Sequence, residues 1–303
     1  MIRLAIAGPV PSRAPGTILG RPAQWIAGDA ARGVYRLEIN GRPAVAKTLE
    51  LVRPDATKGL LRQHTAHGRS LTAEIDLMRS SHWRPHPHVV KYLGVEHEGC
   101  RSVLLLAWHG EQTIHSYVRS KPVSWLEAVL WTHQIAQALE HLRGYGPHGL
   151  VHRDIKPSNI VLTLGGDAVL IDFGVATPEP HIYTDVAWGS PGYIAPEVTL
   201  GGCPSTASDV YSLGVTMVEA LSGPIYRQRP DESIVQYCVR CADQPPPSLT
   251  DRFAPVPQLE GIPGEFTELL QRCLEPKPAQ RPTPSDMIAV TADLLTTHGH
   301  GRP

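Results

Sequence analysis

His152-Arg153-Asp154-Ile155-Lys156-Pro157-Ser158-Asn159 is followed, thirteen residues beyond Asn159, by Asp172-Phe173-Gly174. Between them, Ile160 to Leu164 and Ala168 to Ile171 flank Gly165-Gly166, a hairpin signal that folds the chain back on itself. The hairpin brings Asn159 and Asp172 together, and both carry hard oxygen donors suited to a divalent cation. Asp154 can orient and deprotonate a hydroxyl, and Lys156 puts a cation beside it. Transfer of a loose, multiply charged phosphoryl group requires such a set, because its catalysis is largely positioning and charge neutralisation.

Upstream, the pattern is mostly short strands. Val34 to Ile39 alternates at period two, Asn40-Gly41 is a tight-turn signal, and Ala44-Val45-Ala46-Lys47 continues as the partner strand. Leu71, Ile75 and Met78 recur at helical spacing, with Glu74 on the same helix. Beyond Trp108 the chain turns helical. Ser124 and Glu127 fit a capping box, and further helices are expected near 208–222, 263–274 and 284–296. The expectation is an α+β, two-lobed chain with the site between the lobes. Residues 1–22 form a leader that can hold one edge strand, 23–108 a small β-rich lobe, 109–298 a larger helical lobe and 299–303 a tail.

The 303 residues are 42% hydrophobic and 19% charged, which is ordinary globular material. Lys plus Arg (28) nearly matches Asp plus Glu (29), so net charge gives no reason to expect nucleic acid or an anionic membrane as a partner. No apolar run reaches the roughly 18 residues that span a bilayer. Five scattered cysteines suit reduced thiols in a cytoplasmic protein better than a disulfide framework. Cys238 and Cys241 form a C-x-x-C pair, but no second pair completes a zinc site. His82, His86 and His88 invite a metal reading, yet no carboxylate or cysteine stands near them at ligand spacing.

These motifs, with the later Ala195-Pro196-Glu197, resemble those of the eukaryotic-type serine/threonine protein kinases, and the likeness extends over about residues 24–296. The resemblance implies ATP and Mg²⁺ as the nucleotide and metal, and a protein Ser/Thr hydroxyl as acceptor. It implies Asp154 as base, Lys156 at the γ-phosphate, and Asn159 and Asp172 as metal ligands. Ala46-Lys47 resembles the end of V-A-I-K, so Lys47 should hold the α- and β-phosphates with Glu74 as its ion-pair partner. Leu106 is the implied gatekeeper and Trp108 a hinge residue. Asp209 resembles the aspartate that braces the catalytic loop, and Glu197 and Arg281 the buried ion pair. Lys156 together with Gly189-Ser190 resembles serine/threonine rather than tyrosine kinases, with Ser190 near Asp154 and Lys156. Thr177, Tyr183 and Thr184 fall in the activation segment, and Thr184 is the expected autophosphorylation site, with Arg153 able to bind its phosphate. The style of composition points to a bacterial or phage source.

The sequence departs from the family at the phosphate-covering loop. Gly28-Asp29-Ala30-Ala31-Arg32-Gly33 has alanine where the middle glycine of G-x-G-x-x-G belongs. Backbone N–H donors survive that change, so nucleotide affinity should weaken while the chemistry is retained. Arg62 to His67 reads as extra surface sequence between Lys47 and Glu74. Two other readings compete. A pseudokinase acting as a nucleotide-binding scaffold is favoured by the poor glycine loop but opposed by Lys47, Asp154, Asn159 and Asp172. A small-molecule kinase is opposed by Ala195-Pro196-Glu197. Oligomeric state is not legible.

Overall fold

A computed structural model of the chain describes residues 16–28, 33–50, 66–99, 101–179, 189–244 and 246–298. In chain order, the first half holds β1 (Thr17–Ile18), β2 (Arg21–Pro22), β3 (Gln24–Gly28), β4 (Gly33–Ile39), β5 (Arg42–Glu50), α1 (Ala66–Arg79), β6 (Tyr92–Glu98) and β7 (Arg101–Ala107). There follow β8 (Gln112–Thr113), α2 (Ile114–Val118), α3 (Trp125–Arg143), β9 (Leu150–Val151), β10 (Ile160–Leu162), β11 (Ala168–Leu170) and β12 (Thr177–Pro178). The remainder is α4 (Pro196–Thr199), α5 (Thr206–Ser222), α6 (Ile234–Asp243), α7 (Leu249–Phe253), α8 (Gly264–Cys273) and α9 (Pro284–His298).

Five antiparallel strands in the order β3-β4-β5-β7-β6 make the small lobe's sheet. The Asn40-Gly41 signal is realised as a two-residue turn with both residues at positive φ, 52° and 73°, which fixes Ile39 opposite Arg42. Period-two alternation then gives the sheet two faces. Tyr35, Leu37, Ala44, Ala46, Val103 and Leu105 share an outer apolar cluster with Ile18. Ile18 is fully buried, so part of the segment read as leader packs on the sheet as the β1–β2 hairpin. The other face carries Lys47, with Leu104 and Val34 directly across from it. Against that face lies α1, whose Leu71, Ile75 and Met78 are buried in the main core. Each such burial stabilises by about 1.5–3 kcal/mol.

The larger lobe is built on α3 and α5. Ser124 and Glu127 cap α3 reciprocally, as their spacing predicts. Thirteen of the seventeen residues of α5 are buried, so this helix is enclosed on nearly every side and runs through the centre of the lobe. The expected hairpin is β10–β11, with β8 as a third strand. Its Gly166 carbonyl accepts from Trp131 Nε1 of α3, and Gln134 of α3 bonds both Asp167 and the Ala168 N–H. The His86–Val90 stretch docks on the same hairpin through reciprocal backbone bonds of 2.9 Å to Leu170. Helices α6 and α7 were not expected from the sequence. On α6, Ile234, Val235 and Val239 are exposed while Tyr237 and Cys241 are buried.

Candidate active site

The floor of the cleft is the loop from His152 to Asn159. Asp209, almost fully buried on α5, accepts the backbone N–H of His152 at 2.7 Å and of Arg153 at 2.8 Å. Burial pushes the Asp209 carboxyl up to about 7, against the pull of those two N–H groups. Arg153 and Asp172 both sit at positive φ, 70° and 67°, backbone states that side-chain-bearing residues adopt only where their surroundings enforce them. The bracing by Asp209 supplies that enforcement at Arg153. His152 is fully buried and held neutral by burial; its Nε2–H donates to Ile171 O at 3.1 Å, joining the loop to the strand end before Asp172.

On this floor the Asp154 carboxylate accepts from three donors. Lys156 Nζ lies 2.8 Å from Oδ2, Asn159 Nδ2 lies 2.9 Å from the same oxygen, and Ser190 Oγ donates to Oδ1 at 2.7 Å. Lys156 also donates to Ser190 at 2.6 Å. Asn159 donates a second bond to the Asp154 carbonyl, so both amide hydrogens are engaged by Asp154. Ser190 thus stands where its resemblance implied. The segment carrying it is anchored below by Glu197, paired bidentately with Arg281 at 2.7 Å for each bond. Arg281 also donates to the carbonyls of Ala207, Glu275 and Pro276, so this buried cation is fully satisfied.

The roof supplies Lys47. Its ammonium donates to both oxygens of Glu74, at 2.8 and 2.9 Å, and to Asp172 Oδ1 at 2.8 Å. Burial alone would lower its pKa, but Asp172 and Glu74 outweigh it and hold the group above the ordinary lysine value. The Lys47 charge in turn holds Asp172 down at about 2, against burial. Glu74 has a second task. Its Oε1 accepts the Phe173 N–H at 3.1 Å, tying α1 to the segment that carries Asp172. Phe173 is fully buried, edge-on to both His152 and Trp83. Lys47, Glu74, Asp172, Asn159, Asp154 and Lys156, scattered over 126 positions, therefore meet in one cleft.

The remaining expected residues fall as follows. Leu106 is buried on the Lys47 face of the sheet, directly opposite Val45. Trp108 follows the last strand residue and lies under the Arg36 guanidinium at 4.8 Å. Gly28 and Gly33 pair directly at the end of the β3–β4 ladder. Each has a local reason to be glycine. Gly28 has φ 113°, and a Cβ on Gly33 would overlap the Tyr35 ring. Residues 29–32 between them lie outside the described residues, as do Arg62 to Thr65, Tyr183 and Thr184. Thr177 is buried in β12. His86 stacks on His141 at 4.7 Å, and among the described residues no group of three His, Cys, Asp or Glu is placed to hold a metal ion. Sequence reasoning missed Trp131 and Gln134, which fix the hairpin. Their spacing of three on a capped helix was the available signal.

The two-lobed fold and this arrangement define a phosphotransferase-type cleft. The family model for the protein kinase domain matches residues 40–291, and the chain belongs to the protein kinase family. Membership implies an ATP substrate and a divalent metal. The chain is similar to serine/threonine-protein kinase PknK of Mycobacterium tuberculosis, 34% identical over 220 residues covering 71% of this chain and 19% of that protein. It is similar to serine/threonine-protein kinase AfsK of Streptomyces coelicolor, 34% identical over 186 residues covering 59% and 20%. A probable serine/threonine-protein kinase of Dictyostelium discoideum is 31% identical over 227 residues covering 73% and 42%. The chain thus spans about a fifth of the length of the bacterial relatives. Among the described residues no helix is long and apolar enough to cross a membrane.

Proposed function

We propose that this chain transfers the γ-phosphate of ATP to a serine or threonine hydroxyl of a protein, working in the cytoplasm and phosphorylating its own activation segment. One observation supports this reading above the others: Lys47 is locked to Glu74 while Phe173 is packed inward and Asp154 is poised among three donors. In this reading Lys47 holds the α- and β-phosphates, and Glu74 keeps it extended into the cleft. Val45, Leu106 and Trp108 border the base, and Gly28 and Gly33 lie toward the phosphates. Asp154 takes the acceptor's proton, Lys156 neutralises the migrating group, and Ser190 steadies both and fits a small hydroxyl beside them. Asn159 and Asp172 offer hard oxygens and would hold Mg²⁺, which supplies charge neutralisation at the phosphates. Asp172 suits the task because it stays ionised far below neutral pH.

The test is incubation of purified chain with ATP and Mg²⁺, alone and with a generic basic protein, followed by phosphosite mapping. Phosphoserine or phosphothreonine, with Thr184 among the sites, is expected, and omission of the metal should abolish it. Phosphotyrosine alone would overturn the acceptor assignment. ATP binding with no transfer would favour the scaffold reading that the poor glycine loop suggests.

A further inference from the structure

The cleft face of the sheet carries a charged residue, Arg36, whose position the motifs do not explain. On β4, Val34 stands opposite Lys47 and Arg36 opposite Val45, because the two-residue Asn40-Gly41 turn sets that register. Val45 in turn stands opposite Leu106. Residues directly opposite across antiparallel strands share a face. Arg36 is therefore on the roof of the cleft, in line with Val45 and Leu106, on the side away from Lys47. From there its guanidinium lies 4.8 Å over the Trp108 ring and pairs with Glu111.

Glu111 belongs to the other lobe. It precedes β8, which pairs with β10 of the floor, and Gly110 lies so close to Leu162 that a Cβ there would come within 2.3 Å of its carbonyl oxygen. The backbone at Glu111 is thereby fixed to the floor, while Arg36 is fixed to the roof. The described ion pairs that join the two lobes are Lys47–Asp172 deep in the cleft and Arg36–Glu111 at its front. Both are closed at once, with Phe173 packed inward. The front pair is thus part of the same engaged arrangement as the catalytic groups, and does not displace them.

We propose that Arg36, held by Glu111 and Trp108, is a clasp across the front of the nucleotide slot that closes behind bound ATP and limits its release. This rests on the proposed nucleotide site. The clasp adds to what the glycine-poor loop can offer: it ties the two lobes together at the edge of the slot through an ion pair and a cation–π contact. Both side chains are partly exposed, 38% for Arg36 and 59% for Glu111, so the effect is modest and weakened by salt.

The experiment measures release of a fluorescent ADP analogue by stopped flow, with kcat and KM for ATP, in the full chain. Wild type, Arg36→Met, Glu111→Gln and the double variant are compared. Each single change should speed release about three- to ten-fold and raise KM for ATP, with kcat not reduced. The double variant should release no faster than Arg36→Met, and added salt should speed release from wild type but not from Glu111→Gln. Release rates equal to wild type, strictly additive effects, or a fall in kcat alone would each overturn the clasp. Failure of wild type itself to bind the analogue would instead overturn the proposed function, so the two failures are distinguishable.

Discussion

The floor and the roof of the cleft are held together in different ways. On the floor, Asp154, Lys156 and Asn159 lie within six residues of one another and are fixed by groups of the same lobe: Asp209 below, Ser190 beside, and Gln134 and Trp131 behind the hairpin. On the roof, Lys47 has no such local frame. Its partners are Glu74 on α1 and Asp172 on the floor, 27 and 125 positions away. The floor is held by contacts within one lobe, whereas Lys47 is held by α1 and by the opposite lobe.

Changes to the floor should therefore abolish chemistry or folding, and changes to the roof should leave a folded chain that works poorly. The largest effect expected is at Asp154. Asp154→Asn should lower transfer by about 10²–10⁴-fold while nucleotide still binds, as seen by initial rates beside equilibrium binding. Arg281→Ala should destabilise the chain by about 3–5 kcal/mol, because it leaves Glu197 without its partner, and urea unfolding would measure this. An equally stable Arg281→Ala would break the claim that the floor is rigidly anchored. On the roof, Glu74→Gln keeps an acceptor for the Phe173 N–H but removes the charge facing Lys47. It should cost about 10²–10³-fold in transfer with little change in the urea midpoint. A large loss of stability would mean that the roof is as structural as the floor.

The smallest effect is expected where the lobes meet behind the site. Burial, then the neighbouring His141 and His88, lowers His86 to about 4, below its ordinary 6.5. The folded chain thus binds fewer protons at His86 than the unfolded chain between those values. Its neutral form stabilises fully above pH 6.5, and that contribution is lost as pH falls toward 4. His86→Gln should therefore show a shallower loss of stability between pH 7 and 5 than wild type. Asp209, whose raised value contributes the opposite slope across this range, is common to both chains and cancels in the difference.

How much of this could be read from sequence follows the same division. The floor was legible because its candidate groups are close in sequence: the oxygen-bearing Asn159 and Asp172 joined by a hairpin, and the Asp154 carboxylate and Lys156 cation within eight residues. The bracing roles of Asp209 and of Glu197 with Arg281 came only with the family resemblance, since nothing local links positions 84 residues apart. On the roof, alternation and the Asn40-Gly41 turn predicted β4 and β5, but the face of Arg36 depends on the exact register. That register is set by how short the turn is. Glu111 could not be paired with Arg36 before the strands were laid side by side. Gly28 and Gly33 were read for phosphates, yet their described surroundings also give each a purely conformational or packing reason to be glycine.

The central claim is that the engaged cleft is a working phosphotransferase and not a nucleotide-holding remnant. Its most direct test measures phosphate transfer from ATP and Mg²⁺ for wild type and Asp154→Asn, each shown to bind nucleotide with similar affinity. Transfer by wild type that disappears in the variant while binding persists is the predicted result. Equal nucleotide binding with no transfer by either chain would contradict it.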